Sequence, residues 1–158
     1  MKLDFDRWLA LVSLYTDCAQ ALDSGELERW PGFFTDDCSY KLQSRENFDR
    51  GLPLATLAFE SRGMLQDRVY GATDTIFHDP YHQRHVLGVP RILSVGDEGI
   101  RAEASYLVVR TKRDQMAEIL SVGRTLDRVV DTPEGLRFAE RLVIFDNDLI
   151  PNSIIAPI

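Results

Sequence analysis

Cysteine, positive charge and long apolar runs are all in short supply in this chain. Cys18 and Cys38 are the only cysteines. They sit on separate segments and form no C-x-x-C pair, so neither a disulfide framework nor a thiolate metal cage has enough to build on. Both read as free thiols. Cys18 falls in a helix and Cys38 near a strand start, and neither has a neighbouring cation that would activate a thiolate. No stretch approaches about 18 consecutive apolar residues, so no helical membrane span is expected. The N-terminal MKLDFDRW is amphipathic and acidic and does not read as a signal peptide. Lys and Arg number 18 against 25 Asp and Glu, a net charge of −7. A nucleic-acid-binding face is basic. The nearest candidate, Arg110 to Arg113, is followed at once by Asp114 and reads as a solvated strand end. The acidic balance suits a soluble, cytoplasmic protein that binds neither nucleic acid nor membrane.

At 158 residues, one domain over residues 1–158 is expected, large enough to bury roughly 70% of its unfolded surface without staples. Residues 4–23 read as a helix, because Phe5, Trp8, Leu9, Val12, Tyr15, Ala19 and Leu22 recur at three- and four-residue steps. Asp4 can cap its start. Ser24-Gly25 ends it. Ser24 is then expected to cap a second short helix, closed by Trp30-Pro31. Phe33 and Phe34 look like core anchors, with a short strand after them near residues 39–43. Pro53 suits a first helical position, so a third helix is expected from Pro53 to about Tyr70, with Leu54, Leu57, Ala58, Ser61, Leu65 and Val69 as its stripe.

After residue 82 the period changes from helical to alternating. Residues 86–95, 100–111, 116–130 and 136–145 read as four long strands. Gly96-Asp97-Glu98-Gly99 and Thr132-Pro133-Glu134-Gly135 are turn signals between them. Ala102, Ala104, Tyr106 and Val108 alternate with Arg101, Glu103 and Ser105, the pattern of a half-buried antiparallel strand. Helices first and strands after give an α+β fold with a curved, mostly antiparallel sheet wrapped over the N-terminal helices. The tail DNDLIPNSIIAPI is apolar and must dock on its own domain or on a partner.

The stretch HDPYHQRH holds every histidine: His78, His82 and His85. On one helix they would share a face. Asp79-Pro80 argues against that helix, and a strand from His82 would point His82 and His85 to opposite faces. Asp79, His82 and His85 also offer the two-histidine, one-carboxylate set of a mononuclear iron site. The spacing is cramped and no second carboxylate is placed to orient the imidazoles. The cluster is therefore read as a loop and a strand start, with no metal ligand assigned.

Other chemistry is thinner. No G-x-S-x-G, G-x-G-x-x-G or G-x-x-x-x-G-K-[ST] occurs. Neither C-x-H nor C-x-x-H occurs, so the chain has no ligands for a two-Cys, two-His Rieske cluster. Glu140 stands out because it falls on the face of Leu136, Phe138, Leu142 and Ile144. It is either a pocket acid with a raised pKa or a carboxylate paired with an arginine or a neighbouring subunit.

Residues 45–95, RENFDRGLPLATLAFESRGMLQDRVYGATDTIFHDPYHQRHVLGVPRILSV, and the ending RLVIFDNDLIPNSIIAPI carry a family likeness. The M-L-x-D-R-V helix end, the D-P-Y-x-Q-R-H step and the I-P-N-S-x-I-x-P-I tail are specific in combination. The chain resembles the small (β) subunit of aromatic-ring-hydroxylating oxygenases, the Rieske non-haem iron systems, and within them the salicylate hydroxylase and anthranilate dioxygenase type. The likeness runs from the YTDCAQALDSGELERWPGFF helices to the last residue. It implies a cone-shaped α+β fold of the nuclear transport factor 2-like (cystatin-like) type. It also implies an α3β3 assembly in which the large α subunit carries the Rieske [2Fe-2S] cluster, the mononuclear iron and the substrate pocket. Electrons would come from a separate reductase. The β chain would be structural and would itself hold no cofactor. His85, Arg84 and Asp79 would then fix a family loop, and Glu140 and the apolar tail become candidates for subunit contacts. No catalytic, cofactor-binding or metal residue is carried over onto this chain.

The competing expectation is a stand-alone isomerase or dehydratase on the same fold, using Glu140, Tyr15, Asp17 and His85. That enzyme needs an open cavity where those groups converge. A structural subunit can fill the same space with side chains such as Phe33, Phe34 and Phe138. A third possibility is a binding or assembly protein unrelated to oxygenases.

Overall fold

A computed structural model describes residues 3–149 and 154–158. Helix α1 spans Phe5–Asp23, and Asp4 caps it as expected by accepting from the Arg7 N–H at 2.8 Å. Its buried stripe is Leu11, Leu14, Tyr15, Cys18, Ala21 and Leu22. Phe5 and Leu9, expected on that stripe, are 70% and 47% exposed. The helix therefore presents a face rotated from the one its largest apolar residues suggest. Ser24 closes α1 by donating to the Gln20 carbonyl at 2.8 Å, and it does not cap the next turn. That turn is a 3-10 helix over Leu27–Phe33, running straight through Pro31. Its end leads into strand β1, Phe34–Ser44, which is longer than the expected 39–43.

The helix expected from Pro53 begins nine residues later. Helix α2, Arg45–Asp49, comes directly after β1, and residues 57–59 form strand β2 on the edge of the sheet. Helix α3 then spans Arg62–Tyr70, with Ser61 as its cap, accepting from the Met64 N–H at 3.2 Å. Leu54, expected on the buried stripe, is 72% exposed, whereas Leu65 and Val69 are buried.

The expected strand 86–95 is two strands: β3, Tyr81–Leu87, and β4, Arg91–Gly96. Gly88-Val89-Pro90 separates them, since a proline has no N–H for the ladder. Strands β5 (Gly99–Lys112), β6 (Glu118–Thr132) and β7 (Gly135–Phe145) lie close to their expected places. The sheet order is β2-β1-β7-β6-β5-β3, with β4 also paired to β5. Among the described residues, only β1 against β7 is parallel. Helices first and a mostly antiparallel sheet after is the α+β order read from sequence.

One irregularity decides where charges point. Arg128 pairs with Glu140 but Val129 pairs with Phe138, so Ala139 is an extra residue in β7. A bulge of this kind inverts the alternation beyond it. Leu136 and Phe138 face the core; past the bulge, Arg141 and Val143 do.

Candidate functional site

The interior contains a buried charged pair. Asp127 on β6 and Arg141 on β7 are directly opposite across the ladder, and both are buried. Tyr15 of α1 donates to Asp127 Oδ2 at 2.5 Å, and Thr125 donates to the same oxygen at 2.7 Å. Arg141 Nε stands 3.7 Å from Asp127 Oδ1, an ion pair without a hydrogen bond. The guanidinium packs over the Phe138 ring at 4.4 Å and the Tyr15 ring at 5.2 Å. Burial pushes the Asp127 carboxyl up, opposed by Arg141, Thr125 and Tyr15. Burial, then the Asp127 charge, pushes the Tyr15 phenol far up as well. Among the described residues, the Asp127–Arg141 pair is packed in a core rich in aromatic side chains. Trp30, Phe34, Tyr40 and Phe138 are fully buried, and Trp30 meets Phe34 and Tyr40 edge to face at 5.4 and 5.3 Å. Phe33 is only half-buried.

The four groups proposed for a stand-alone enzyme do not converge. Tyr15 is engaged with Asp127. Asp17 is exposed on α1. His85 Nδ1 lies 2.6 Å from Asp23 Oδ1, and the His85 N–H donates to Asp23 Oδ2 at 2.8 Å. The bulge places Glu140 on the outer sheet face, 46% exposed. There it accepts from Arg128 Nε at 2.9 Å and lies 3.6 Å from Arg101. Glu140 is thus the arginine-paired carboxylate and not a pocket acid. It borders an outer groove of about 450 Å3 with Lys41, Arg101, Leu93, Leu126 and Leu142.

The histidines diverge too. Strand β3 turns His82 outward and His85 inward. His78 is exposed, with its ring 5.8 Å from that of Tyr81. Among the described residues, no three His, Cys, Asp or Glu side chains group around a metal position. His85 fixes β3 to the end of α1. Arg84 and Asp79, expected to help it, are both exposed. Cys18 and Cys38 are buried, and burial pushes each thiol up to about 11. Sequence reasoning missed Asp23, Asp127 and Arg141. A signal for Asp127 was present: it shares strand parity with Thr125 and Val129.

The tail divides. Residues 150–153 lie outside the described residues. Residues 154–158 dock on their own chain: Pro157 and Ile158 are buried, and the Ile158 carbonyl accepts from Tyr40 Oη at 2.7 Å. Elsewhere large apolar side chains stand in solvent. Phe77 and Met116 are almost wholly exposed, and Val86, Val89, Leu93 and Ile119 are about half exposed or more.

These features match one group of proteins over nearly the whole chain. The family model described as "Ring hydroxylating beta subunit" matches residues 18–152. This chain belongs to that family. The anthranilate 1,2-dioxygenase small subunit of Burkholderia cepacia is 32% identical over 155 residues, 98% of this chain and 96% of the relative. A crystal structure from Novosphingobium aromaticivorans, described as the β subunit of an aromatic-ring-hydroxylating dioxygenase, superposes with a TM-score of 0.87. It is 34% identical, and the match covers 96% of each chain. A protein from the same organism described as a scytalone dehydratase superposes with a TM-score of 0.70 at 17% identity, covering 94% of this chain and 89% of its own. That last likeness is one of fold alone. The α+β cone is the nuclear transport factor 2-like fold, and within it this chain is a ring-hydroxylating oxygenase β subunit.

Proposed function

We propose that this chain is the structural, non-catalytic β subunit of a multicomponent oxygenase that hydroxylates small aromatic acids of the salicylate, anthranilate or benzoate kind. The observation that carries the reading is the match to the ring-hydroxylating β-subunit family over residues 18–152. It is supported by the burial of Trp30, Phe34, Tyr40, Phe138 and the Asp127–Arg141 pair in the core of the described residues. The exposed apolar side chains Phe77, Val86, Val89, Leu93, Met116 and Ile119 are the kind of surface a permanent partner covers.

The partner in this reading is a large α subunit in an α3β3 assembly, working in the cytoplasm, with this chain acting as one domain. An obligate interface of that kind buries roughly 2,000 Å2 or more. The α subunit would hold the Rieske [2Fe-2S] cluster and the mononuclear iron, take electrons from a separate reductase and activate O2. The residues of this chain do not fit either group. Iron–sulfur ligation needs convergent thiolates or imidazoles, whereas Cys18 and Cys38 are buried thiols pushed up to about 11 and the histidines diverge. No step of the reaction is assigned to residues here. What the chain supplies is interface area and register for the α subunits.

Co-expression tests this. The large subunit produced with this chain should form a soluble oxygenase that turns over an aromatic acid; produced alone it should be unstable or inactive. Full activity and a normal assembly without this chain would overturn the reading.

A further inference from the structure

The groove on the outer sheet face has an apolar floor and charged ends. Its volume is about 450 Å3, a size that small-molecule sites share. The ladder register sets what stands where. Lys41 on β1 is beside Leu142 on β7, and Leu142 is beside Leu126 on β6. In the next row Glu140 is beside Arg128, and Arg128 is beside Arg101 on β5. Residues two apart on a strand share a face, so Leu142 and Leu126 lie on the outer face with Glu140 and Arg128. Both leucines are half-buried, and Leu93 of β4, 48% exposed, borders the same groove. Lys41 and Arg101 are three strand spacings apart, about 14 Å. The leucines therefore lie between two cations.

The carboxylates on this face are already engaged. Glu103 accepts from Arg91 and, at 2.9 Å, from Arg124. Glu140 accepts from Arg128 Nε at 2.9 Å. The two end cations are not held in this way. Arg101 is 3.6 Å from Glu140 and 3.8 Å from Glu98, too far for a hydrogen bond, and its side chain is 49% exposed. Its N–H fork can take a carboxylate. Among the described residues, no carboxylate is within ion-pair reach of Lys41. An acid with one carboxylate would match one of these cations and leave the other to water. An acid with a carboxylate at each end of an apolar body would match both and cover the leucines.

We propose that this groove binds a small, flat dicarboxylate. Its aromatic body lies on Leu93, Leu126 and Leu142, one carboxylate meets Lys41 and the other meets Arg101. The site lies on this chain's own surface and goes beyond the oxygenase reading, which puts the reacting pocket in another subunit.

Titration of the full chain with naphthalene-2,6-dicarboxylate and with 2-naphthoate tests it. The two probes share a ring system and differ by one carboxylate. Methyl NMR signals of Leu93, Leu126 and Leu142 should shift saturably with the dicarboxylate. The dicarboxylate should bind up to about fivefold more tightly than 2-naphthoate, which is the scale of one exposed ion pair. Lys41→Met and Arg101→Met, both surface changes that leave the fold intact, should each remove that preference and change 2-naphthoate binding by less than about twofold. Equal affinity for the two probes, a preference that survives both substitutions, shifts confined to other methyl groups, or no saturable binding would overturn the proposal.

Discussion

The Tyr15 hydroxyl donates to Asp127 Oδ2 at 2.5 Å and so ties α1 to β6 inside the cone. The same carboxylate faces the buried Arg141 guanidinium. Removing one member of a buried ion pair leaves an uncompensated charge and costs about 3–5 kcal/mol, whereas neutralising both is far milder. Asp127→Asn keeps an acceptor for Tyr15 and Thr125 but strands Arg141. It should lower unfolding free energy by that amount. The double variant Asp127→Asn with Arg141→Met should recover at least half of the loss. Urea melts of the two single variants and the double check this; strictly additive losses would show that the pair is not coupled.

The two thiols give a pH-dependent signature. Burial raises Cys18 and Cys38 to about 11, above the usual thiol value of about 8.5. A folded-state pKa raised in this way favours the folded state fully below about 8.5. That contribution is lost as pH rises toward about 11. Neither thiol should react with a thiol reagent at about pH 8 while the protein is folded, and both should react in denaturant. Rapid labelling of either in the native chain contradicts the burial.

His85 is structural and the other two histidines are not. His85→Ala removes the partner of a nearly buried Asp23 carboxylate and should cost about 1–3 kcal/mol. His78→Ala and His82→Ala should stay within about 0.5 kcal/mol of the parent. Both should leave the iron content of the purified complex unchanged. Loss of iron in either would revive a metal site in HDPYHQRH.

At Gly123, β6 leaves no room for a side chain against β7. A Cβ there would overlap the Ile144 carbonyl oxygen. That atom is backbone and cannot turn aside. Gly123→Ala should therefore destabilise by about 3 kcal/mol or more, read as a thermal shift. An unchanged melting temperature would mean that the strands separate freely.

Much of the sheet was legible in sequence because alternation is a strong signal on a half-buried strand. Ala102, Ala104, Tyr106 and Val108 face the core as their spacing says. What failed was non-local. The Pro53 helix lost to Ser61, because residues 57–59 pair with β1 instead. Residues 86–95 read as one strand because apolar content hid the break at Gly88-Val89-Pro90. Glu140 was assigned to the core face by counting twos along β7. The extra residue at Ala139 inverts that count, and no local rule announces it. The same bulge hid Arg141, so the ion pair with Asp127 could not be read from either strand alone. The family likeness came through clearly because it rests on residue combinations and not on period.

This chain belongs to the ring-hydroxylating β-subunit family, and the central claim is that it works as one subunit of a larger oxygenase. Native mass spectrometry of the affinity-tagged chain, purified from its own host, tests that claim most directly. The account predicts one assembly in which a larger, iron-containing partner is present in equal copy number, three of each. Recovery of the chain alone, as a monomer or small homo-oligomer with no iron-containing partner, would contradict it.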